Sequence, residues 1–372
     1  MTKSIAPVWL LALVLGAAAG APADETPPPP VRFAREPLVQ VSGADGNRTA
    51  KTLAEWEPRR RQIRAAFESI AGKFPGDEPR CPLDLKILDE TDCDTYVRRR
   101  IEYSSQPGGR VPAYLLIPKS ALSGQQPKTP AVLCLHPTDN VSGAKVVVGL
   151  GGKANRQYAS ELAERGFVTL APNYPLLADY QPDLKALGWE SGTMKAIWDN
   201  VRGVDLLDSL PFVAHGQYGV IGHSLGGHNS VYTALFDERL KVVVSSCGLD
   251  SYQDYYGGAE RVWLPEKGWT QTRYMPRLRD YRGRLAEIPF DFHELIAALA
   301  PRHVFIAAPL HDSNFRHDSV DRIAASARTV FDLAQTGDRL IVAHPDCDHD
   351  FPEAMREKAY SLFKEHLRAS GQ

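Results

Sequence analysis

The chain of 372 residues has no excess of either charge, because 43 lysines and arginines are balanced by 45 aspartates and glutamates. This balance argues against nucleic acid as the main partner. The sequence has no internal repeat, and beyond residue 23 it has no apolar stretch long enough to span a bilayer. The composition therefore indicates a globular protein. Hydrophobic residues make up 43% of the chain, which is enough to fill one large core, with or without a small additional unit.

Cysteine is also scarce, and the five cysteines cannot all be paired because their number is odd. Cys134 and Cys247 lie inside apolar runs, which is typical of small buried side chains. Cys81 and Cys93 are the favoured pair if a disulfide forms in an exported chain.

The N-terminus is typical of an export signal. Lys3 is followed by an apolar run over residues 9–15, and Ala21-Pro22-Ala23 has the small-x-small pattern of a cleavage site. A membrane anchor is the alternative, but a proline-rich continuation argues against it. We predict a signal peptide at 1–23 and therefore a secreted or periplasmic protein, with no membrane contact after cleavage. A proline-rich tether at 24–50 and a catalytic domain at 51–372 are expected to follow.

Strand and helix patterns alternate through most of this domain. An N-terminal helix over 52–74, a strand at 83–88 and a hairpin precede the alternation. Strands are then predicted at 131–135, 167–171, 218–221, 242–246, 304–308 and 340–343. Helices are predicted between and after them. Continuous apolar strands separated by helices indicate an α/β fold with a mostly parallel sheet covered on both faces.

The most informative stretch is YGVIGHSLGGH at residues 218–228. A short apolar strand runs into Gly-His-Ser-Leu-Gly, and a helical pattern begins at Asn229. This order fits the G-x-S-x-G nucleophile elbow, in which glycine allows backbone to pass close to a strained serine. We expect Ser224 to be the nucleophile. The alternative is a glycine-rich surface turn.

A serine nucleophile needs an imidazole to take its proton and a carboxylate to orient that imidazole. Asp312 follows the strand at 304–308, and His349 follows the last strand. This gives the order Ser, Asp, His that the elbow architecture uses. Asp250 is the alternative acid, and His344 is the alternative base, although it lies right at the strand end.

The oxyanion of the reaction needs two preorganised N–H donors. The first is expected from the backbone of Leu225, the residue after the nucleophile. The second is expected from the loop His136-Pro137-Thr138, and Pro137 has no N–H. We therefore expect the second donor to be Thr138, with help from its hydroxyl. The alternative is that His136-Pro137 only ends the strand.

Acids, a cysteine and histidines cluster at residues 344–350 and resemble a metal-ligand set. No second cluster elsewhere completes a zinc site, so an acidic loop with one catalytic histidine explains the segment better. We expect no metal and no other cofactor.

Residues 250–292 interrupt the alternation and are too long for an ordinary connection, so we predict a lid-like insertion. The segment is rich in tyrosine, tryptophan and arginine. Aromatic faces suit sugar rings, and arginine suits a carboxylate. Trp269 and Arg273 are the predicted substrate contacts, because their spacing would place them on one side of a helix over 269–275. The alternative is that these aromatics only pack the insertion onto the core.

These motifs, in this order, resemble the α/β-hydrolase superfamily, and within it the dienelactone-hydrolase-like and acetyl-xylan-esterase-like exported bacterial esterases. The resemblance covers residues 83–367 and is most specific in GHSLGGH (222–228), SGTMK (191–195) and IPFDFH (288–293). It implies the same triad and the same oxyanion donor at Leu225. True dienelactone hydrolases have cysteine where this chain has Ser224, which argues against their substrate.

The sequence therefore predicts a serine esterase that works through an acyl-enzyme, with a small-molecule or carbohydrate ester as its partner. A peptidase of the prolyl-oligopeptidase type is the first alternative, although no propeller-sized region precedes the catalytic domain. A non-catalytic binding module on a hydrolase scaffold is the second. The complete set of Ser, Asp and His argues against it.

Overall fold

The computed structural model describes residues 33–43, 46–76, 80–124 and 128–367. The strands in this part of the chain are β1 (Gln40–Gly43), β2 (Gly46–Thr49), β3 (Lys86–Cys93), β4 (Tyr96–Gln106), β5 (Gly109–Pro118), β6 (Thr129–Leu135), β7 (Val168–Pro172), β8 (Val213–His223), β9 (Leu240–Ser246), β10 (His303–Ala307) and β11 (Leu340–Ala343). The α-helices are α1 (Leu53–Ala71), α2 (Lys119–Leu122), α3 (Tyr158–Glu164), α4 (Gly192–Ser209), α5 (Leu225–Phe236), α6 (Phe292–Ala297), α7 (His317–Asp332) and α8 (Glu353–His366).

Nine strands form one sheet in the order β11-β10-β9-β8-β6-β7-β5-β4-β3. The strands from β11 to β7 in this order run parallel, whereas β5, β4 and β3 are joined antiparallel at one edge. The predicted mostly parallel sheet is therefore confirmed. The predicted strand at 83–88 starts later than expected and continues to Cys93.

Alternate residues of the central strands belong to two separate hydrophobic layers. In β6, Leu133 contributes to the layer that holds α1, α4, α5, α6 and α7, whereas Cys134 contributes to the layer of α3 and α8. In β8, Val220 and Ile221 divide in the same way. Strands that are buried on both faces need apolar residues at every position, which explains their continuous apolar runs.

The described residues just before α1 differ from the tether expected at 24–50. Strands β1 and β2 form an antiparallel hairpin, and Phe33, Leu38 and Val41 are buried in the core. The indole of Trp56 in α1 donates a hydrogen bond of 2.8 Å to the Leu38 carbonyl. These apolar residues give the segment enough buried surface to order it. The predicted signal peptide lies outside the described residues.

None of the helices in the described part of the chain combines the length and the apolar character that a membrane span requires.

The predicted insertion connects β9 to α6. In place of long helices it contains short 3₁₀ turns, at Tyr255–Gly258, Glu260–Trp263, Gly268–Thr270, Pro276–Tyr281 and Leu285–Glu287. Three of its own side chains, Trp263, Trp269 and Met275, are buried. The insertion follows the carboxyl end of a parallel strand, the edge at which open α/β sheets place their ligands.

Candidate active site

Ser224 lies on the sharp turn between β8 and α5. Its backbone has φ 54° and ψ −118°, a strained conformation for a side chain other than glycine. The turn needs glycine on both sides, because a Cβ on Gly222 would lie 2.1 Å from the backbone of Gly226. A Cβ on Gly226 would lie 2.0 Å from the carbonyl oxygen of Leu135. The local geometry is that of a nucleophile elbow.

His349 and Asp312 form a hydrogen-bonded pair. Nδ1 of His349 lies 3.0 Å and 2.9 Å from the two carboxylate oxygens of Asp312. The carboxylate is almost fully buried, with 1% of its side chain exposed. An Nδ1–H that donates to a carboxylate leaves Nε2 as a proton acceptor, which is the tautomer that a general base requires. The imidazole also contacts the ring of His223, the residue before Ser224, with centroids 4.8 Å apart.

The alternative acid and base are engaged elsewhere. Oδ2 of Asp250 accepts a hydrogen bond of 3.2 Å from the Arg316 amide, and burial raises the pKa of Asp250 well above its usual range. His344 lies 2.7 Å from the Ala308 carbonyl through Nδ1 and 2.9 Å from Asp321 through Nε2. The geometry therefore favours Asp312 and His349 for the two roles.

The loop after β6 runs beside the elbow. Nε2 of His136 accepts a hydrogen bond of 2.9 Å from the Tyr174 amide, and its Nδ1 donates to the Pro137 carbonyl at 2.7 Å. Burial lowers the pKa of His136 to about 4, so this ring is neutral and holds the loop in place. Leu225 is the first residue of α5, where backbone N–H groups have no partner within the helix.

A cleft of about 140 Å³ opens beside the nucleophile. Ser224, Leu225 and Thr138 line it. The rest of its lining is mainly aromatic or amide-bearing and comes largely from the insertion: His228, Tyr255, Gly268, Trp269, Gln271, Tyr274, Asn314 and Phe315. Burial lowers the pKa of His228 to about 3, so the side chains that line the cleft carry no charge at neutral pH.

Of the two predicted substrate contacts, only Trp269 lines this cleft. Residues 269–275 do not form a helix, because the turn at Gly268–Thr270 ends at Gln271 with extended backbone. The expectation that Trp269 and Arg273 share one helical side is therefore wrong. Arg273 hydrogen-bonds Gln271 and Asn140, both at 2.8 Å, and its guanidinium lies over the ring of Tyr274.

Comparisons with known proteins fit this geometry. Residues 188–334 match the family described as glucuronyl esterase, fungi. A glucuronoyl esterase from Solibacter usitatus superposes with a TM-score of 0.72 at 18% identity, over 91% of this chain and 99% of that one. A Bacteroides fragilis protein described as an acetyl xylan esterase superposes with a TM-score of 0.56 at 17% identity, over 90% and 94% of the two chains. A hydrolase of Bacillus subtilis, YtaP, is 22% identical over 316 residues, or 82% of this chain and 100% of its own length.

The chain has the α/β-hydrolase fold. The solved structures confirm the predicted fold, and the family match supports the predicted enzyme class, a serine carboxylic ester hydrolase.

A buried arginine, Arg156, holds the loop that carries His349, and the sequence analysis did not predict this role. Arg156, with only 4% of its side chain exposed, forms an ion pair with Asp350 and donates to the His349 carbonyl at 3.1 Å. Asn155 also donates to Asp350, at 2.8 Å. No motif marks these contacts in the sequence, because they join positions nearly 200 residues apart.

One further group of side chains in the described part of the hydrolase could hold a metal. Ligand atoms of His223, Cys247 and His349 lie within 4.8 Å of one another, and this set is not the 344–350 cluster. Burial raises the pKa of the Cys247 thiol well above its usual range, and each imidazole already has one nitrogen hydrogen-bonded. A protonated thiol is a poor ligand, so the set does not fit a metal well.

The predicted pair Cys81 and Cys93 is not joined, since both are free cysteines in the structure. Sγ of Cys93 donates instead to the Thr91 carbonyl at 3.8 Å. The expectation that Cys134 and Cys247 are buried is confirmed.

Helix α4 fixes the position of the insertion. The Gly192 amide donates to the Thr272 carbonyl at 3.0 Å, and the Thr193 amide donates to the Tyr274 carbonyl at 3.3 Å. A Cβ on Gly192 would lie 2.4 Å from the carbonyl oxygen of Arg273, so only glycine allows this contact. The first turn of α4 thus holds the segment that carries Tyr274 into the cleft.

A fully buried ion pair anchors the same helix. Lys195 pairs with Asp199 and donates to Tyr180 Oη at 2.9 Å and to Ser105 Oγ at 3.2 Å. Replacing Lys195 by alanine should lower the free energy of unfolding by about 3–5 kcal/mol, because Asp199 would be left buried without its cation. Denaturant unfolding followed by circular dichroism measures this loss. Lys185→Ala, at an exposed position, is the control, and equal stability of the two variants would contradict the prediction.

Proposed function

We propose that this hydrolase is a serine esterase that cleaves esters of a carbohydrate acid, with a uronate ester as the first choice. The family match supports this choice, because residues 188–334 span the elbow, the insertion and Asp312. The side chains of the cleft add independent support from their hydrogen-bonding capacity.

Among the described residues, two ring nitrogens on side chains that line the cleft have no hydrogen-bond partner. They are Nε2 of His228 and Nε1 of Trp269, on side chains that are only 5% and 3% exposed. The two rings touch, with centroids 4.6 Å apart. A buried polar atom without a partner costs free energy, so a ligand that satisfies both atoms gains affinity.

The two nitrogens have opposite hydrogen-bonding roles. Nδ1 of His228 lies 3.1 Å from the Gly248 carbonyl, which can only accept, so Nδ1 carries the hydrogen and Nε2 is an acceptor. Nε1 of Trp269 can only donate. A hydroxyl group both donates and accepts, and therefore suits this pair. The aromatic lining suits the apolar face of a sugar ring. A sugar whose hydroxyls lie close to the scissile ester meets both requirements. The observation that carries the proposal is therefore the unpartnered donor and acceptor in this aromatic lining.

The proposed reaction gives the three residues the roles that they have in a Ser-His-Asp triad. Nε2 of His349 takes the proton of Ser224 while Oγ attacks the ester carbonyl carbon, and the buried Asp312 stabilises the imidazolium that forms. The alcohol leaves with that proton, and the acyl group stays on Ser224. Water then gives a proton to His349 and attacks the acyl-enzyme. His349 returns this proton to Oγ of Ser224 as the bond to the acyl group breaks and the acid leaves. No step needs a metal or a cofactor.

A substrate panel tests the proposal. The purified protein should hydrolyse alkyl or aryl esters of glucuronic acid with a higher kcat/KM than acetylated xylose, and it should leave casein intact. Preference for acetylated xylose would indicate that the sugar of the natural substrate is the alcohol part of the ester and not the acid part. Turnover of casein without ester turnover would favour the peptidase alternative, and no turnover of any substrate would favour the binding module.

Replacing Trp269 by phenylalanine should lower kcat/KM for the uronate ester roughly 5- to 20-fold, mainly through KM, because one hydrogen bond to the sugar is lost. Turnover of a small aryl acetate should stay close to wild type. Trp263→Phe is a matched control, since its indole nitrogen is also buried without a partner among the described residues, but the side chain lies outside this cleft. A comparable effect of Trp263→Phe, or of Arg273→Ala, would contradict the assignment of Trp269.

A further inference from the structure

Two hydroxyl groups meet at the wall of the cleft beside Ser224. Oγ1 of Thr138, from the loop after β6, lies 2.9 Å from Oη of Tyr274, from the insertion. Both residues line the cleft that also holds Ser224 and Leu225. The contact therefore joins the predicted oxyanion loop to the insertion in the wall of the cleft that Ser224 also lines.

The two hydroxyl groups together carry one more hydrogen than the hydrogen bond between them uses. Each hydroxyl carries one hydrogen, and only one hydrogen can lie between two oxygens. Across the described residues neither hydroxyl has a second hydrogen-bond partner. A hydroxyl whose oxygen already accepts a hydrogen bond is polarised and donates more strongly. Whichever oxygen is the acceptor, the pair keeps one strengthened O–H donor.

The oxyanion of ester cleavage has one backbone donor at Leu225 and needs a second. Pro137 cannot provide it, because proline has no N–H. We propose that the hydroxyl pair of Thr138 and Tyr274 donates the second hydrogen bond to the oxyanion. This inference rests on the ester hydrolysis proposed above, and it adds Tyr274 to the catalytic residues.

The surroundings of Tyr274 hold its hydroxyl in place. Burial raises the pKa of Tyr274, so the phenol keeps its proton at neutral pH. Its backbone amide donates to the Gln271 carbonyl at 2.8 Å, and its carbonyl accepts from Thr193 at 3.3 Å. The ring contacts those of Trp269 and Tyr174. A donor that is fixed before the reaction stabilises the transition state without the cost of reorganisation.

Replacing Tyr274 by phenylalanine tests the inference. The kcat for the best ester found in the substrate panel should fall by about 10²-fold, the low end of the cost of one oxyanion donor, with KM within twofold of wild type. Thr138→Val should have a similar effect, and Thr138→Ser, which keeps the hydroxyl, should stay near wild type. The double variant should lose far less than the product of the two single losses, because the two hydroxyls act as one donor. Tyr281→Phe, in the same insertion but outside the cleft, is the control.

Phenylboronic acid supplies a readout that does not depend on turnover. It forms a tetrahedral adduct with a serine nucleophile, and tryptophan fluorescence reports its binding. Its affinity should fall in Tyr274→Phe in parallel with kcat. A kcat that is unchanged, or a loss confined to KM, would overturn the inference. So would equal losses in Thr138→Ser and Thr138→Val.

Failure of the inference can be told apart from failure of the proposed function. If the wild type hydrolyses no ester, the proposed function fails and no kcat can be compared. If the wild type is active and Tyr274→Phe retains both its activity and its boronate affinity, only the inference fails. A lower melting temperature in Tyr274→Phe leaves the decision to Thr138→Ser and Thr138→Val, which change a single surface side chain.

Discussion

Replacement of Ser224 by alanine should reduce ester hydrolysis to background, a loss on the order of 10⁶ in kcat if the triad acts as a unit. The hydroxyl supplies the nucleophile, and neither His349 nor the cleft can replace it. The melting temperature should change little, because the strained backbone at φ 54° tolerates alanine about as well as serine. Turnover of an aryl acetate and of the uronate ester measures the loss.

Chemical labelling separates this result from a folding defect. A fluorophosphonate should label the wild type at Ser224, as located by mass spectrometry of its peptides, and should not label the alanine variant. Ser209→Ala, at an exposed position late in α4, is the control and should keep full activity and labelling. Ester turnover in Ser224→Ala well above background would refute the assignment of the nucleophile.

Replacement of Asp312 by asparagine should lower kcat by about 10⁴, as loss of the orienting acid does in other triads. The amide can donate to Nδ1 of His349, which would move the proton to Nε2 and remove the base. The buried position of Asp312 excludes water as a substitute, since only 1% of its side chain is exposed. KM should change far less than kcat.

Asp250→Asn is the matched comparison, because Asp250 was the alternative acid. Burial raises its pKa well above the usual range and thereby favours the protonated form, which asparagine resembles. The Arg316 amide would still find an oxygen to bind. Asp250→Asn should therefore keep most of the activity. If it loses activity while Asp312→Asn does not, the acid has been assigned wrongly.

The part of the site that could be predicted from the sequence is the part set by local constraints. The elbow needs glycine at positions 222 and 226, because a Cβ at either position would lie about 2 Å from neighbouring backbone atoms. This need can be recognised in the five-residue motif at 222–226. Asp312 and His349 could be found because parallel strands bring their carboxyl ends to one edge of the sheet. The strand patterns place both residues just beyond such ends.

The rest depends on contacts between distant segments, which no local pattern records. The insertion was expected to contain a helix over 269–275, but burial of Trp269 and Met275 and the hydrogen bonds of the chain to α4 decide its path. The contacts of Arg156 with His349 and Asp350 also join distant segments, so no local pattern predicts them. The hairpin of β1 and β2 was missed because the prolines before it outweighed the few apolar residues that order it.

The uncharged cleft also bears on how the product leaves. The ester enters without charge, whereas hydrolysis at neutral pH leaves a carboxylate in the same place. The described lining offers this anion no cation, since His228 stays neutral and Arg273 is held by Gln271 and Asn140 outside the cleft. A carboxylate without a cation beside it is held less well in such surroundings than in water. The chemistry itself thus turns a well-bound ligand into a more weakly bound one, which favours release of the acid into water.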